Sequence, residues 1–377
     1  MNNILIVSSA AAIDGSLFDL FQDLGRERNN FFWLLDKGVL TPSSLPGERL
    51  ANRYSGPRGS DFFSRLLFVG ALPWLWLSYL LYLGKVKRQR GITQVVCVSD
   101  REKLIVSPLA KILGLKMIWL EMPGKPKTGS DWLKRRLARG AEIVVFTLAG
   151  GQGLADRGYP PERIHNISLG VNLRSAEQQD DLFSSLAKAD KPHSFYKSFT
   201  IGVVTGQADR RRLELLLQAV KNCLNIIPNF RLVVIGQDTG SGNLNWLIKS
   251  LGLERRVWLV GEQMNLSEWF ADLDIYVILA QNPGLADLER ALIAASKGLP
   301  ILGMKADNLS EIIIEGQTGT ILESGGAESL AQAIIALEAD ERRRQVLGRN
   351  AADLAFHHFD RGAQLRRLQE IVSAPIN

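Results

Sequence analysis

The feature that most limits what this chain can fold into is the recurrence of its apolar runs. Segments of strand length, NILIVSS (3–9), FFWLLD (31–36), QVVCVSD (94–100), KMIWLEM (116–122), EIVVFTL (142–148) and RIHNISLG (163–170), punctuate the first half. Between several of them lie stretches with helical spacing that end in glycine, such as REKLIVSPLAKILG and DWLKRRLARG. Parallel strands need crossover connections, so the alternation predicts a parallel sheet with helices on both faces. Residues 171–198 are polar, of mixed charge and without periodicity. The pattern then restarts with FTIGVVTG, RLVVIGQ, RVWLVGE, DIYVILA, LPILGM and TGTILE as strands. Helical patterns, including RRLELLLQAVKNCLNIIP, LSEWFADL, ADLERALIAASKG and the long run from Ser329 to Phe356, fall between them.

A chain of 377 residues exceeds one ordinary core and suits two domains of roughly 150 to 200 residues each. The expected division is 1–175, a linker at 176–198, a second domain at 199–356 and a C-terminal helix at 357–377. Two doubly wound domains so joined would face each other across a cleft, where such folds take ligands at the carboxyl ends of their strands.

Hydrophobic residues at 46% and charged residues at 22% describe a globular chain, and the net charge of +6 favours an anionic partner. No signature of a nucleic-acid module occurs, so that partner class is set aside. Cys97 and Cys223 lie in apolar contexts without metal-ligand spacing and read as reduced core residues of a cytosolic protein. The N-terminus enters a strand directly, without a basic leader.

Residues 66–84, LLFVGALPWLWLSYLLYLG, run without a charge up to the basic cluster KVKRQR at 85–90. Length alone admits a membrane span. Pro73 interrupts the run, and strand-like segments of one domain flank it on both sides. An interfacial helix, with Trp74, Trp76 and Tyr79 at amphipathic depth and residues 66–90 on an anionic membrane surface, and a buried core helix both remain open.

The ordered motifs RIHNISLGVNL, TIGVVTG followed by LELLLQAV, PNFRLVVIGQDTG, LGLERRVWLVGE, WFADLDIYVILAQ, ASKGLPILGM and LSEIIIEGQTGTILESGGAESLAQAI resemble the family 4 retaining glycosyltransferases of the GT-B fold. The resemblance covers roughly residues 160–356 and is only topological before them. It implies transfer of a sugar from a nucleotide-sugar to a glycan or lipid-linked acceptor, with the donor on the second domain and no metal or other cofactor. A departing nucleoside diphosphate then needs cations and helix N-termini to stabilise its charge.

Several positions depart from the family pattern. Gly206 is followed by Gln207 where the family has arginine, and the next cations are Arg210, Arg211 and Arg212, which serve a diphosphate or else open a solvated helix. The family's two glutamates, eight residues apart, align with Leu285 and Ile293. Glu289 lies one turn from each and either substitutes or joins Asp287 and Arg290 on a polar face. Asp307 and Asn308 stand where the family places glycines against phosphate, while Glu311 matches a retained glutamate. Gly236 opens a turn expected beside the nucleobase. On the acceptor side the family's histidine is missing, and IWLEMPG offers Glu121 as a base or a plain loop carboxylate.

The expected function is a divergent glycosyltransferase of cell-surface polysaccharide or glycolipid assembly, cytoplasmic or peripheral on the inner membrane face. Two alternatives stand beside it: an inactive pseudo-glycosyltransferase serving a protein partner as a binding or scaffold subunit, and an enzyme with a different donor.

Overall fold

A computed structural model gives the structure of the chain. It describes all residues except 1, 10–14, 27–28, 37–44, 51–61, 125–131, 172–197, 207–209, 237–241, 264, 324–325 and 376–377. The chain forms two compact units, Met1–Leu169 with Ala363–Asn377, and Gly170–Gly362. The expected linker at 176–198 lies almost wholly outside the described residues.

In the first unit, β1 (Asn2–Ser8), β2 (Asn29–Leu35), β3 (Glu48–Arg49), β4 (Gln94–Cys97), β5 (Lys116–Glu121), β6 (Ala141–Val145) and β7 (Ile164–Asn166) form one parallel sheet. Its order is β3-β2-β1-β4-β5-β6-β7. All six quoted runs are strands, and the two-residue β3 is an edge strand too short to carry a sequence pattern. The helices are α1 (Gly15–Gly25), α2 (Phe62–Arg90), α3 (Asp100–Ile112), α4 (Trp132–Ala138) and α5 (Leu148–Ala155). Leu5, Val7, Val95, Cys97, Met117, Trp119, Ile143 and Val145 alternate along their strands and bury one sheet face against α2 and α3.

The interruption read at Pro73 does not break the helix expected there. One 29-residue helix runs through it, with Pro73 on its exposed side. The stripe Phe68, Leu72, Leu75, Tyr79, Leu83 and Val86 is buried on the core, and this packing holds the helix continuous across the proline. Trp76 Nε1 donates to the Leu104 carbonyl at 3.2 Å, tying α2 to α3. The three aromatic residues thus have separate fates: Tyr79 is in the core, Trp76 is half-buried, and Trp74 is exposed.

Residues of the C-terminal helix from Ala363 onward belong to this unit. Gln94 donates to the Val372 carbonyl at 2.6 Å, Lys116 Nζ to the carbonyls of Ile371 and Ala374, and Asn29 to Gln369 at 2.7 Å. A buried ammonium thus meets the carbonyls that end a helix, where positive charge is favoured.

The second unit holds β8 (Phe199–Thr205), β9 (Phe230–Gly236), β10 (Val257–Val260), β11 (Ile275–Ile278), β12 (Ile301–Met304) and β13 (Gly319–Leu322), all parallel, in the order β10-β9-β8-β11-β12-β13. Its helices are α6 (Arg210–Cys223), α7 (Gly242–Ser250), α8 (Leu266–Phe270), α9 (Leu285–Ser296), α10 (Ala327–Ala339) and α11 (Glu341–His358), followed by α12 (Arg361–Ser373), which continues into the first unit. Leu232 and Val234, with Ile275 and Val277, pack under α6, α7 and α10. The alternate residues Val233, Ile235, Tyr276 and Ile278 pack under α8, α9 and α11. The single run expected from Ser329 to Phe356 is two helices. Asp340 ends the first and caps the second, its carboxylate accepting the Arg343 amide at 2.8 Å.

Helices α9 and α11 cross at glycine. A Cβ on Gly348 would lie 1.9 Å from the carbonyl oxygen of Gly298, which itself has φ 72°. Gly348→Ala is expected to lower the unfolding free energy by about 1–3 kcal/mol, measured by urea denaturation. An unchanged midpoint would contradict a backbone contact this close.

Candidate functional site

Because every strand of the second sheet runs the same way, all its carboxyl ends lie on one edge, and the strand order reverses between β8 and β11. Gly206 follows β8 at this point, and a side chain there would meet nothing within 4 Å among the described residues, which leaves the backbone open to close approach there. Arg210, Arg211 and Arg212 form the first turn of α6, a turn that itself contains no acidic residue. Arg210 lies 3.7 Å from Glu214 across an exposed pair, and Arg211 is exposed. Gln207 lies outside the described residues. Gly236, at the end of β9, has φ 145°, and a Cβ there would sit 2.1 Å from the Thr205 carbonyl oxygen, so its glycine serves the close pairing of β8 with β9.

On the other side of the reversal, β11 leads through residues 279–284 into α9. The first aligned acid position, Leu285, is 1% exposed in the core. Ile293 is half-buried and packs against the apolar cluster that holds Leu288, Ala291 and Leu292 of the same helix. Asp287 is committed to holding the helix start: its Oδ2 accepts the Gly284 amide at 2.9 Å and its Oδ1 lies 3.3 Å from Arg290. Glu289 is half-buried and already engaged within the protein.

The turn after β12 closes this edge. Asp307 is exposed at the head of the short 3-10 turn Asp307–Leu309, whose Leu309 is buried. Asn308 Nδ2 donates to the Pro283 carbonyl at 3.2 Å, tying the turn to the loop before α9. Glu311 is half-buried and has an intramolecular partner. The structure therefore brings Gly206, the α6 start, the α9 start and residues 307–311 to one edge, while Asn308 serves the scaffold there.

In the first unit the order reverses between β1 and β4. Glu121 ends β5, and Lys103 Nζ donates to its Oε1 at 2.6 Å. Lys103 is only 1% exposed and lies 5.7 Å from the Trp119 ring centre, so the Glu121 carboxylate balances a buried cation. Beside it is a group that sequence reading missed. Glu102, in the first turn of α3 at the end of β4, is 1% exposed, and burial pushes its carboxyl up to about 7. Hydroxyls of Ser9 and Ser99 oppose the shift, yet neither carboxylate oxygen has a well-aligned hydrogen bond. An acid in a helix's first turn is ordinary in sequence, so only the burial reveals it. Among the described residues no group of three or more His, Cys, Asp or Glu is arranged to hold a metal ion.

With this geometry in place, the chain can be set beside known proteins. Residues 187–354 match the model of the family Glycosyl transferases group 1. A solved glycosyltransferase from Rickettsia africae superposes with a TM-score of 0.75 at 15% identity, over 98% of this chain and 97% of that one. Anabaena HepE in complex with UDP superposes at 0.71 and 16% identity, over 99% and 100%. The fold is GT-B, and fold and family match together support a glycosyltransferase.

More particular relatives are distant. The N-acetyl-alpha-D-glucosaminyl L-malate synthase of Bacillus anthracis is 27% identical over 151 residues, covering 40% of this chain and 38% of that protein. The GDP-mannose-dependent alpha-(1-6)-phosphatidylinositol monomannoside mannosyltransferase of Mycolicibacterium smegmatis is 22% identical over 346 residues, covering 88% and 82%. The chain spans 38%, 28% and 44% of the length of the first three curated relatives it matches.

The buried carboxyl sets a pH dependence. Below about pH 4.5 the native and unfolded chains both hold the Glu102 proton; between 4.5 and about 7 only the native chain keeps it. Its contribution to stability therefore falls as pH rises through that window and is fully unfavourable above it. Glu102→Gln is expected to remove this loss, gaining on the order of 1–3 kcal/mol at pH 8 relative to pH 4.5 in denaturant titrations. An identical pH slope in the variant would contradict it.

Proposed function

We propose that this protein is a divergent family 4 glycosyltransferase that moves a sugar, with retention, from a nucleotide-sugar to a glycan or lipid-linked acceptor in cell-surface polysaccharide or glycolipid assembly. The observation that carries the reading is the convergence of Gly206, the arginine-bearing start of α6 and the glycine-led start of α9 where the second sheet reverses. In the transfer, the bond from the sugar's anomeric carbon to the diphosphate oxygen breaks and the acceptor oxygen bonds to that carbon. The acceptor proton leaves to the departing diphosphate or to a nearby base. Arg210 and Arg211 are the cations proposed for the growing negative charge, with the start of α9 as a second electropositive end. Relatives named for GDP-mannose and lipopolysaccharide core transfer, and a neighbour bound to UDP, favour this class of donor and acceptor. The place proposed for the reaction is the cytoplasmic face of a membrane, met through residues 66–90.

One observation favours a second reading, a pseudo-glycosyltransferase acting as the binding subunit of a protein partner. Leu285 is sealed in the core where the family's first glutamate contacts the donor sugar, and Asp287 is occupied by capping. Calorimetric titration with nucleoside diphosphates and nucleotide-sugars separates the two. The enzyme reading expects saturable binding, weakened at least about tenfold in the Arg210→Ala/Arg211→Ala variant. Absence of binding at millimolar ligand would sink it and leave the scaffold reading.

A further inference from the structure

Helix α2 carries two apolar stripes, of which the fold uses one. The buried stripe lies on the first unit's core. The other contains Phe63, Leu67, Trp74, Leu77 and Leu81, which are 66%, 49%, 62%, 59% and 70% exposed. With Gly70 between them these residues advance in steps of four and three. Eighteen residues make five helical turns, so Phe63 and Leu81 stand on the same line of the helix surface. Exposed apolar residues scattered singly are ordinary, but a continuous row along five turns marks an interaction surface. Ile112, 69% exposed, ends the neighbouring α3 beside Leu113, whose carbonyl accepts Lys87 and whose side chain approaches Gly84.

The charges on this helix decide what covers the row. None of its 29 residues is acidic, and the stripe continues past Leu81 into the exposed Lys85 and Arg88. A second copy of the helix would offer these cations no carboxylate, whereas anionic headgroups would. Spanning the bilayer is also disfavoured, because it would strip Leu72, Leu75, Tyr79, Leu83 and Val86 from the core and break the Trp76 and Lys87 bonds to α3.

We propose that α2 docks in the plane of an anionic lipid surface, with Phe63, Leu67, Trp74, Leu77 and Leu81 entering the boundary between headgroups and acyl chains and Lys85 and Arg88 at the phosphates. The buried stripe stays on the protein core, so the helix is shared lengthwise between protein and lipid. Trp74 sits mid-row, where an amphipathic ring is stable at the interface, and the lysine and arginine stems reach up to the headgroups. This deepens the membrane part of the proposed function.

Vesicle flotation of the full chain tests it. Wild type is expected to float with vesicles of phosphatidylcholine containing about one third phosphatidylglycerol, and much less with phosphatidylcholine alone or at high salt. Trp74→Glu/Leu77→Glu is expected to cut the floated fraction at least tenfold, and Lys85→Glu/Arg88→Glu to remove the preference for anionic vesicles. Melting curves and nucleoside diphosphate titration of the same samples check that the variants are folded and keep the donor site, so failure here and failure of the transfer reading are told apart. Wild type that stays with the pellet, or floats as well after Trp74→Glu/Leu77→Glu, overturns the proposal. So does a dimer in sedimentation velocity without lipid that the same double variant converts to monomer, since a second copy then covers the row.

Discussion

Parallel pairing is the constraint from which the rest of this structure follows. A parallel strand cannot return through a tight turn, so each pair needs a crossover segment that packs on a sheet face, and both faces must be apolar. The alternating burial of Val233 and Ile235 against Leu232 and Val234 is the direct result. The same constraint gathers every strand's carboxyl end on one edge, and the reversal of order at β8 and β11 leaves room there between diverging connections. Backbone amides and helix starts therefore converge at that edge before any catalytic residue is specified. Chemistry is then added by side chains.

Helix α9 commits most of its first turn to the scaffold. Its glycine stop, its close crossing with Gly348 and its apolar face are all in place, and Leu285 extends that face to the first residue. A carboxylate at Leu285 would have to be desolvated in the core or pull the helix start outward, so the apolar residue stabilises what an acid would strain. Asp287 and Asn308 likewise serve cap and tether. What remains suited to an anion on this edge is electropositive: the arginines of α6 and the helix starts.

The strands were legible because their signal is local and strong. All twelve quoted runs form strands, including RIHNISLG, of which only Ile164–Asn166 pairs. The errors arose where tertiary packing overrides a local rule. Pro73 does not break α2, because core contacts hold the helix on both sides of it. Asp340 does break the run ending at Phe356, because its side chain satisfies a helix start better than an interior turn. The candidate site was legible as a set of loops but not as a set of roles: Glu121 gave no sign of its buried partner Lys103, and Glu102 gave no sign of its burial. Both depend on residues brought close by the sheet, which no spacing along the chain encodes.

The central claim is that the reversal point of the second sheet holds a nucleoside diphosphate. Hydrogen–deuterium exchange with and without UDP, GDP and their sugar conjugates tests it most directly, because it reports which backbone segments a ligand covers. The account predicts slowed exchange at the ends of β8 and β11, the first turns of α6 and α9, and residues 306–311, with the rest of the unit unchanged. Unaltered exchange at these segments under millimolar ligand, or protection confined to some other part of the chain, would contradict it.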